Sequence, residues 1–201
     1  FWEGRQFLRF LLDVVESGPL QPLYGIGGER DLPESELEHL SGFEGTKPVR
    51  VGNAAASQYQ ADLMGEVVLC IRSMLIDQRS DLRDPSQWYP LVARMVAEAT
   101  EGFDRKDMGI WEYRGKPMLH TFSRAMCWAA VHSGADIAEH FEHQEEAAAW
   151  RIVADAMRER LLEESYCGER GMFLQAVDCP HADAALLLLP SIGFLPATDP
   201  R

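Results

Sequence analysis

Glu112 stands in the run Gly109-Ile-Trp-Glu-Tyr-Arg114, with an indole before it and a phenol and a guanidinium after it. A carboxylic acid that must give up a proton near neutral pH needs a raised pKa, and apolar, desolvating neighbours raise it. Trp111 is such a neighbour in the chain. Flat aromatic faces also stack on the apolar faces of sugar rings, while charged groups grip their hydroxyls. The combination suits proton donation to a polar ring. The same residues also suit a solvated loop in which Glu112 and Arg114 make an exposed ion pair of little consequence. Residue types alone do not separate the two.

The elements around this run must decide. Phe7, Leu8, Leu11, Val14 and Val15 repeat at helical spacing, and Gly18-Pro19 ends that helix. Further helices are expected over 53–76, 86–102, 121–139, 144–164 and 182–189. Those over 3–16, 86–102 and 144–164 are apolar on one stripe. Those over 54–76, 121–139 and 182–189 are apolar nearly all round, as in Ala125-Met-Cys-Trp-Ala-Ala-Val131. A helix apolar on every side is buried on every side, and a one-sided helix lies at the surface. Strict alternation of the two kinds predicts stacked helical hairpins in two concentric layers. No fixed repeat length is present, which favours a closed α/α ring over a repeat array. A ring of about a dozen helices needs roughly twice this length. The expected fold is therefore all-α, with residues 1–201 forming about half a toroid as one partial domain. The long irregular segment 19–52 and the loop 103–120 each precede an inner helix, so both should open at one mouth, with Glu112 there.

Other polar residues have competing readings. Tyr24, Glu29, Arg30, Asp31 and Arg50 of the long segment are candidates to line a pocket. Asn53 reads either as a helix cap or as a ligand contact. Gln58, Asp62 and Glu66 are spaced four apart. On a helix they would share a face, lining the ring axis or satisfying loops packed above. His120, Thr121 and Ser123 sit at a helix start, where capping is the default. Tyr24-Gly-Ile-Gly-Gly28 lacks the lysine of a phosphate loop. No Cys/His spacing suits a metal, and no Gly-x-Ser-x-Gly elbow is present. No metal and no cofactor are expected.

Composition narrows the partners. Of the 201 residues, 46% are hydrophobic, enough for a packed core, and the net charge is −13. That charge argues against nucleic acid and anionic membrane as partners. No apolar run has the length of a membrane span. Cys70, Cys127, Cys167 and Cys179 form no C-x-x-C pair and read as free thiols of a reducing, cytoplasmic setting, a Cys167–Cys179 disulfide being the lesser alternative.

Several blocks together resemble a known family. Gly109-Ile-Trp-Glu-Tyr-Arg114 followed by Ser123-Arg-Ala-Met-Cys-Trp128 is similar to the general-acid segment of the family 15 glycoside hydrolases, the glucoamylases, glucodextranases and actinobacterial-type trehalases. Leu23-Tyr-Gly-Ile-Gly-Gly28, Leu32-Pro-Glu34, Lys47-Pro-Val-Arg-Val-Gly-Asn-Ala-Ala55, Gln58, Gly65-Glu66 and Asp183-Ala-Ala-Leu-Leu-Leu188 resemble further blocks in order. The resemblance implies an (α/α)6 toroid and inverting hydrolysis of α-linked glucose. One carboxylic acid protonates the leaving oxygen while a second carboxylate, about 6.5–9.5 Å away, activates water. It makes Glu112 the acid and Trp111, Arg114, Tyr24 and Arg50 substrate-binding residues. The implied partner is an α-glucoside: a maltooligosaccharide, a starch fragment or trehalose. A glucoamylase-like enzyme is the first expectation and a trehalase the second. The family's general base would lie beyond residue 201 and its Arg-Asp sugar clamp before residue 1, so an isolated piece is expected to be inactive and to associate through apolar edges. Arg124 stands where the family usually has lysine, Phe122 where it often has histidine, and His132-Ser133 where an Asp-Arg pair is common. The first two departures are expected to alter the pocket floor. A reading of another class is a non-catalytic helical module that binds sugar or a protein.

Overall fold

The computed structural model describes residues 2–76 and 85–201. Five helices dominate: α1 (Trp2–Glu16), α2 (Leu63–Ile76), α3 (Pro85–Gly102), α4 (Thr121–His140) and α5 (Gln144–Ser165). Two short antiparallel pairs complete the regular structure. β1 (Ser35–Glu36) pairs with β2 (Arg50–Val51), and β3 (Tyr166–Cys167) pairs with β4 (Met172–Phe173). No helix among the described residues is long and apolar enough to cross a membrane.

The alternation read from the sequence is physical layering. α4 is buried almost throughout and packs against α2, α3 and α5. By contrast α5 buries only the stripe of Ala147, Ala154, Met157, Leu161 and Ser165. α3 likewise sinks Trp88, Val92, Met95 and Ala99 into the core. The chain is all-α, with inner helices α2 and α4 and outer helices α1, α3 and α5. Small residues let the inner helices approach. Gly65 of α2 faces the backbone of α4 so closely that a Cβ there would lie 2.4 Å from the Met126 carbonyl oxygen. Backbone cannot swing aside as a side chain does. Gly65→Ala is expected to lower stability by about 1–3 kcal/mol, as overpacking does. An unchanged urea midpoint would show that α2 and α4 lie further apart.

Charged side chains clamp the layers to one another. Asp136 of α4 accepts from Arg72 of α2 at 2.8 Å and from Arg151 of α5 at 2.5 Å. Arg124, 2% exposed, reaches Glu164 at 2.7 Å and lies over the Phe103 ring. This departure from the family pattern therefore sits in the α4–α5 seam, not at a pocket floor. Phe122 is buried in a small cluster with Met126, Ala185 and Ile110. His132 stacks on Trp128, ring centres 4.9 Å apart, and burial pushes its pKa down.

Several expected boundaries are corrected. The second helix starts at Leu63, not near Asn53; residues 54–57 form a separate 3-10 turn. The reason is tertiary: the Ala61 N–H goes to Asp107 and the Tyr59 carbonyl accepts from Met108, so the 103–120 loop takes groups that a longer helix would use internally. Gln58, Asp62 and Glu66 consequently share no helix face. α2 is not buried all round, because Glu66 and Ser73 are exposed. The segment 182–189 is only a 3-10 turn over Ala184–Leu188, with Leu187 81% exposed. Leu189 itself keeps helical angles, φ −52° and ψ −41°, but Pro190 brings no N–H to carry a helix on, and so short a segment cannot sustain a helix alone. Phe7, read as part of the α1 core face, is exposed; Leu8, Val14 and Val15 carry that burial.

Candidate active site

Loop 103–120, between α3 and α4, is pinched at its base by paired hydrogen bonds between Asp107 and Met118, N–H to carbonyl at 2.9 and 3.0 Å. At its tip the Glu112 N–H donates to the Gly109 carbonyl at 3.2 Å. Gly109 has φ +67° and Glu112 φ +54°. The glycine takes the left-handed region freely, whereas a glutamate is held there by its surroundings. Glu112 itself is partly buried.

The long segment before α2 supplies one side of this site. Glu34 accepts both guanidinium nitrogens of Arg114, at 3.0 and 2.6 Å, and Arg50 approaches it to 3.3 Å. Hydrogen bonding to Arg114 holds the Glu34 carboxyl well below the usual carboxylate range, at about 2. The β1–β2 register sets Glu36 opposite Arg50, and the two side chains bond at 3.1 Å. Gln58 donates to the Tyr113 carbonyl at 3.2 Å, so it satisfies the loop packed above it. Asn53 proves to be a cap: its side chain accepts from the Ala55 N–H at 2.9 Å. An open cavity of about 590 Å³ behind Glu34 is bordered by Gln21, Arg30, Leu32 and Asn53.

A third segment, 174–183, closes the opposite side. Asp183 accepts from the Trp111 indole N–H at 2.8 Å and from the Ala185 N–H at 2.8 Å. Gln175 donates to the Tyr113 hydroxyl at 2.7 Å, and the Tyr113 ring stacks near His120. Trp111 keeps 53% of its surface exposed. Three loops, distant in sequence, thus converge on the Glu112 turn. Segments 19–52 and 103–120, expected to open at one mouth, meet through the Glu34–Arg114 pair.

Not every candidate is drawn in. Arg50 and Arg114 meet on Glu34, and Trp111 is fastened by Asp183. Tyr24 packs elsewhere, edge-on against Phe10 of α1 with the Arg30 guanidinium 5.4 Å from its ring centre. In place of the exposed Glu112–Arg114 pair that was the alternative reading, Arg114 makes a two-pronged pair with Glu34. Glu34, Asp183, Gln175 and Asp107 were not singled out as site residues. Glu34 and Asp183 fall inside the family-like blocks, yet a lone acid in a loop carries no local sign of its partner. His120 makes no side-chain cap, and the Ser123 hydroxyl goes to Asp107 instead. Among the described residues no cluster of His, Cys, Asp or Glu is placed to hold a metal, and the four cysteines are unpaired with one another.

A sequence model of the glycosyl hydrolases family 15 matches residues 2–201. The chain belongs to glycosyl hydrolase family 15. Family membership places the two helical layers within an all-α toroid. Among curated proteins the chain is similar to a trehalase of Mycobacterium tuberculosis, 40% identical over 204 residues that cover 99% of this chain and 29% of the relative. It is 38% identical to a trehalase of Mycolicibacterium smegmatis, across 99% of this chain and 30% of that protein. It is 33% identical to trehalase 1 of Sulfolobus acidocaldarius, across 98% and 34% respectively. The chain spans roughly three-tenths of the length of these relatives.

Proposed function

We propose that residues 1–201 form part of an (α/α)6 catalytic domain that hydrolyses trehalose, with Glu112 as the general acid. The trehalase names of the curated relatives that match the chain end to end support trehalose over maltooligosaccharides. This replaces the first expectation of a glucoamylase-like enzyme with the second. In this reading the Glu112 carboxyl gives its proton to the glycosidic oxygen as the anomeric C–O bond breaks. Water adds to the anomeric carbon from the opposite face, and its proton passes to a second carboxylate. Two glucose molecules result. Arg114 and Arg50, steadied by Glu34, face sugar hydroxyls, and the exposed Trp111 face offers an apolar platform.

The test is glucose release by the complete protein that carries this chain, on trehalose, maltose and isomaltose in parallel. Trehalose is expected to be the preferred substrate by kcat/KM. Maltose turned over faster than trehalose would return the reading to the glucoamylase type. Sugar binding without turnover on all three would favour the non-catalytic module.

A further inference from the structure

The acid-bearing loop is fastened at a point the reaction itself does not use. Asp107 is 1% exposed, at the foot of loop 103–120. One carboxylate oxygen accepts the Ala61 N–H at 2.9 Å, just ahead of α2, and the Ser123 hydroxyl at 2.7 Å, in the first turn of α4. A single buried carboxyl group therefore ties this loop to both inner helices. Breaking either bond would leave a buried polar group without a partner, so this knot resists displacement.

The tie passes directly to Glu112. Two residues beyond Asp107, Gly109 lies so close to the His120 ring that a Cβ would come within 3.0 Å of it. The Gly109 carbonyl then accepts the Glu112 N–H and closes the left-handed turn. The left-handed backbone of Glu112 depends on its surroundings, and Asp107 is the buried polar group nearest the turn in the chain.

We propose that Asp107 is a positioning residue for the general acid: its carboxylate, gripped from α2 and α4, holds the Gly109–Glu112 turn in the orientation from which Glu112 donates its proton. The role assigned here rests on Glu112 being that acid.

The experiment compares Asp107→Asn and Ser123→Ala with wild type in the complete protein. Asn keeps the shape but puts an amide NH2, which cannot accept, in place of one carboxyl oxygen; Ala at 123 removes one donor and leaves the rest. Asp107→Asn is expected to lower kcat on trehalose by about 10- to 100-fold, the scale set by a small misplacement of a reacting group. KM is expected to stay within about twofold, since binding groups are untouched. Ser123→Ala is expected to move kcat the same way by less. Trehalose binding is measured with each change placed in a Glu112→Gln background and is expected to match that background alone. Hydrogen exchange supplies a readout that needs no substrate: the Glu112 amide is expected to exchange faster in Asp107→Asn while amides 125–131 of α4 keep their rates. Unchanged exchange at Glu112, or exchange rising equally in α4, overturns the proposal whichever substrate is correct. Full kcat in Asp107→Asn on the protein's true substrate also overturns it. Failure of trehalose as substrate refutes the functional reading alone, because the exchange pattern is read independently of it.

Discussion

Glu112→Gln is expected to reduce kcat on trehalose by about 10²–10⁴-fold, the usual contribution of a positioned proton donor. Glutamine matches the shape of the carboxylic acid and still makes hydrogen bonds, so the turn closed by the Glu112 N–H on Gly109 has no reason to open. What glutamine cannot do is deliver a proton to the departing oxygen. The loss should therefore fall on kcat, with KM little changed, as for an interaction made only in the transition state. Leaving-group chemistry sharpens the test. In α-glucosyl fluoride the departing fluoride needs no protonation, so the variant should retain far more of its activity on that substrate than on trehalose. Equal losses on both would mean that Glu112 acts on something other than the leaving group.

The second large effect concerns stability and its dependence on pH. Asp62 lies just before α2, 3% exposed, with a carboxylate oxygen that finds no hydrogen-bond partner among the described residues. Burial, with smaller contributions from Asp107 and Glu66, raises its pKa from 3.8 to about 7. The folded state therefore holds a proton that the unfolded chain releases between about pH 4 and 7. Below the unfolded value both states are protonated and nothing is lost. Through the window stability falls as pH rises, and above about 7 the full penalty remains. Asp62→Asn removes that titration. The variant should match wild type near pH 4 and gain on it up to about 4 kcal/mol by pH 8, the value of a three-unit shift. Urea unfolding of both proteins across this range reads the difference directly. A difference that does not change with pH would show that Asp62 is not the titrating group.

Much of the helical framework was legible before any coordinates, for a specific reason. Burial leaves a periodic trace when it repeats every turn, and α3, α4 and α5 carry that trace over many turns, so their ends were placed within a residue or two. The start of α2 was not legible. Residues 54–76 have helical character throughout, but Asp107, far along the chain, takes the Ala61 N–H and ends the pattern. Likewise the apolar run before Pro190 reads as a buried helix, yet Leu187 and Leu188 stand exposed on a short 3-10 turn.

The candidate site divides along the same line. Glu112 could be picked out locally, because an indole, a phenol and an arginine beside one acid in a glycine-containing turn is a local fact. The cap at Asn53 is one of two readings the sequence offers, since capping involves residues next to one another in the chain. Which acid would hold Arg114 and Arg50 could not be read, because Glu34 is separated from Arg114 by both α2 and α3; nor could the fastening of Trp111 by Asp183, or the placement of Tyr24 against α1. Amino-acid order alone settles periodic burial and turn chemistry and nominates a candidate proton donor, all of which depend on neighbours within a few positions. Folding settles which charges meet, because pairing of polar groups depends on distance in space, and only the packed layers of α2 and α4 bring those loops to one place.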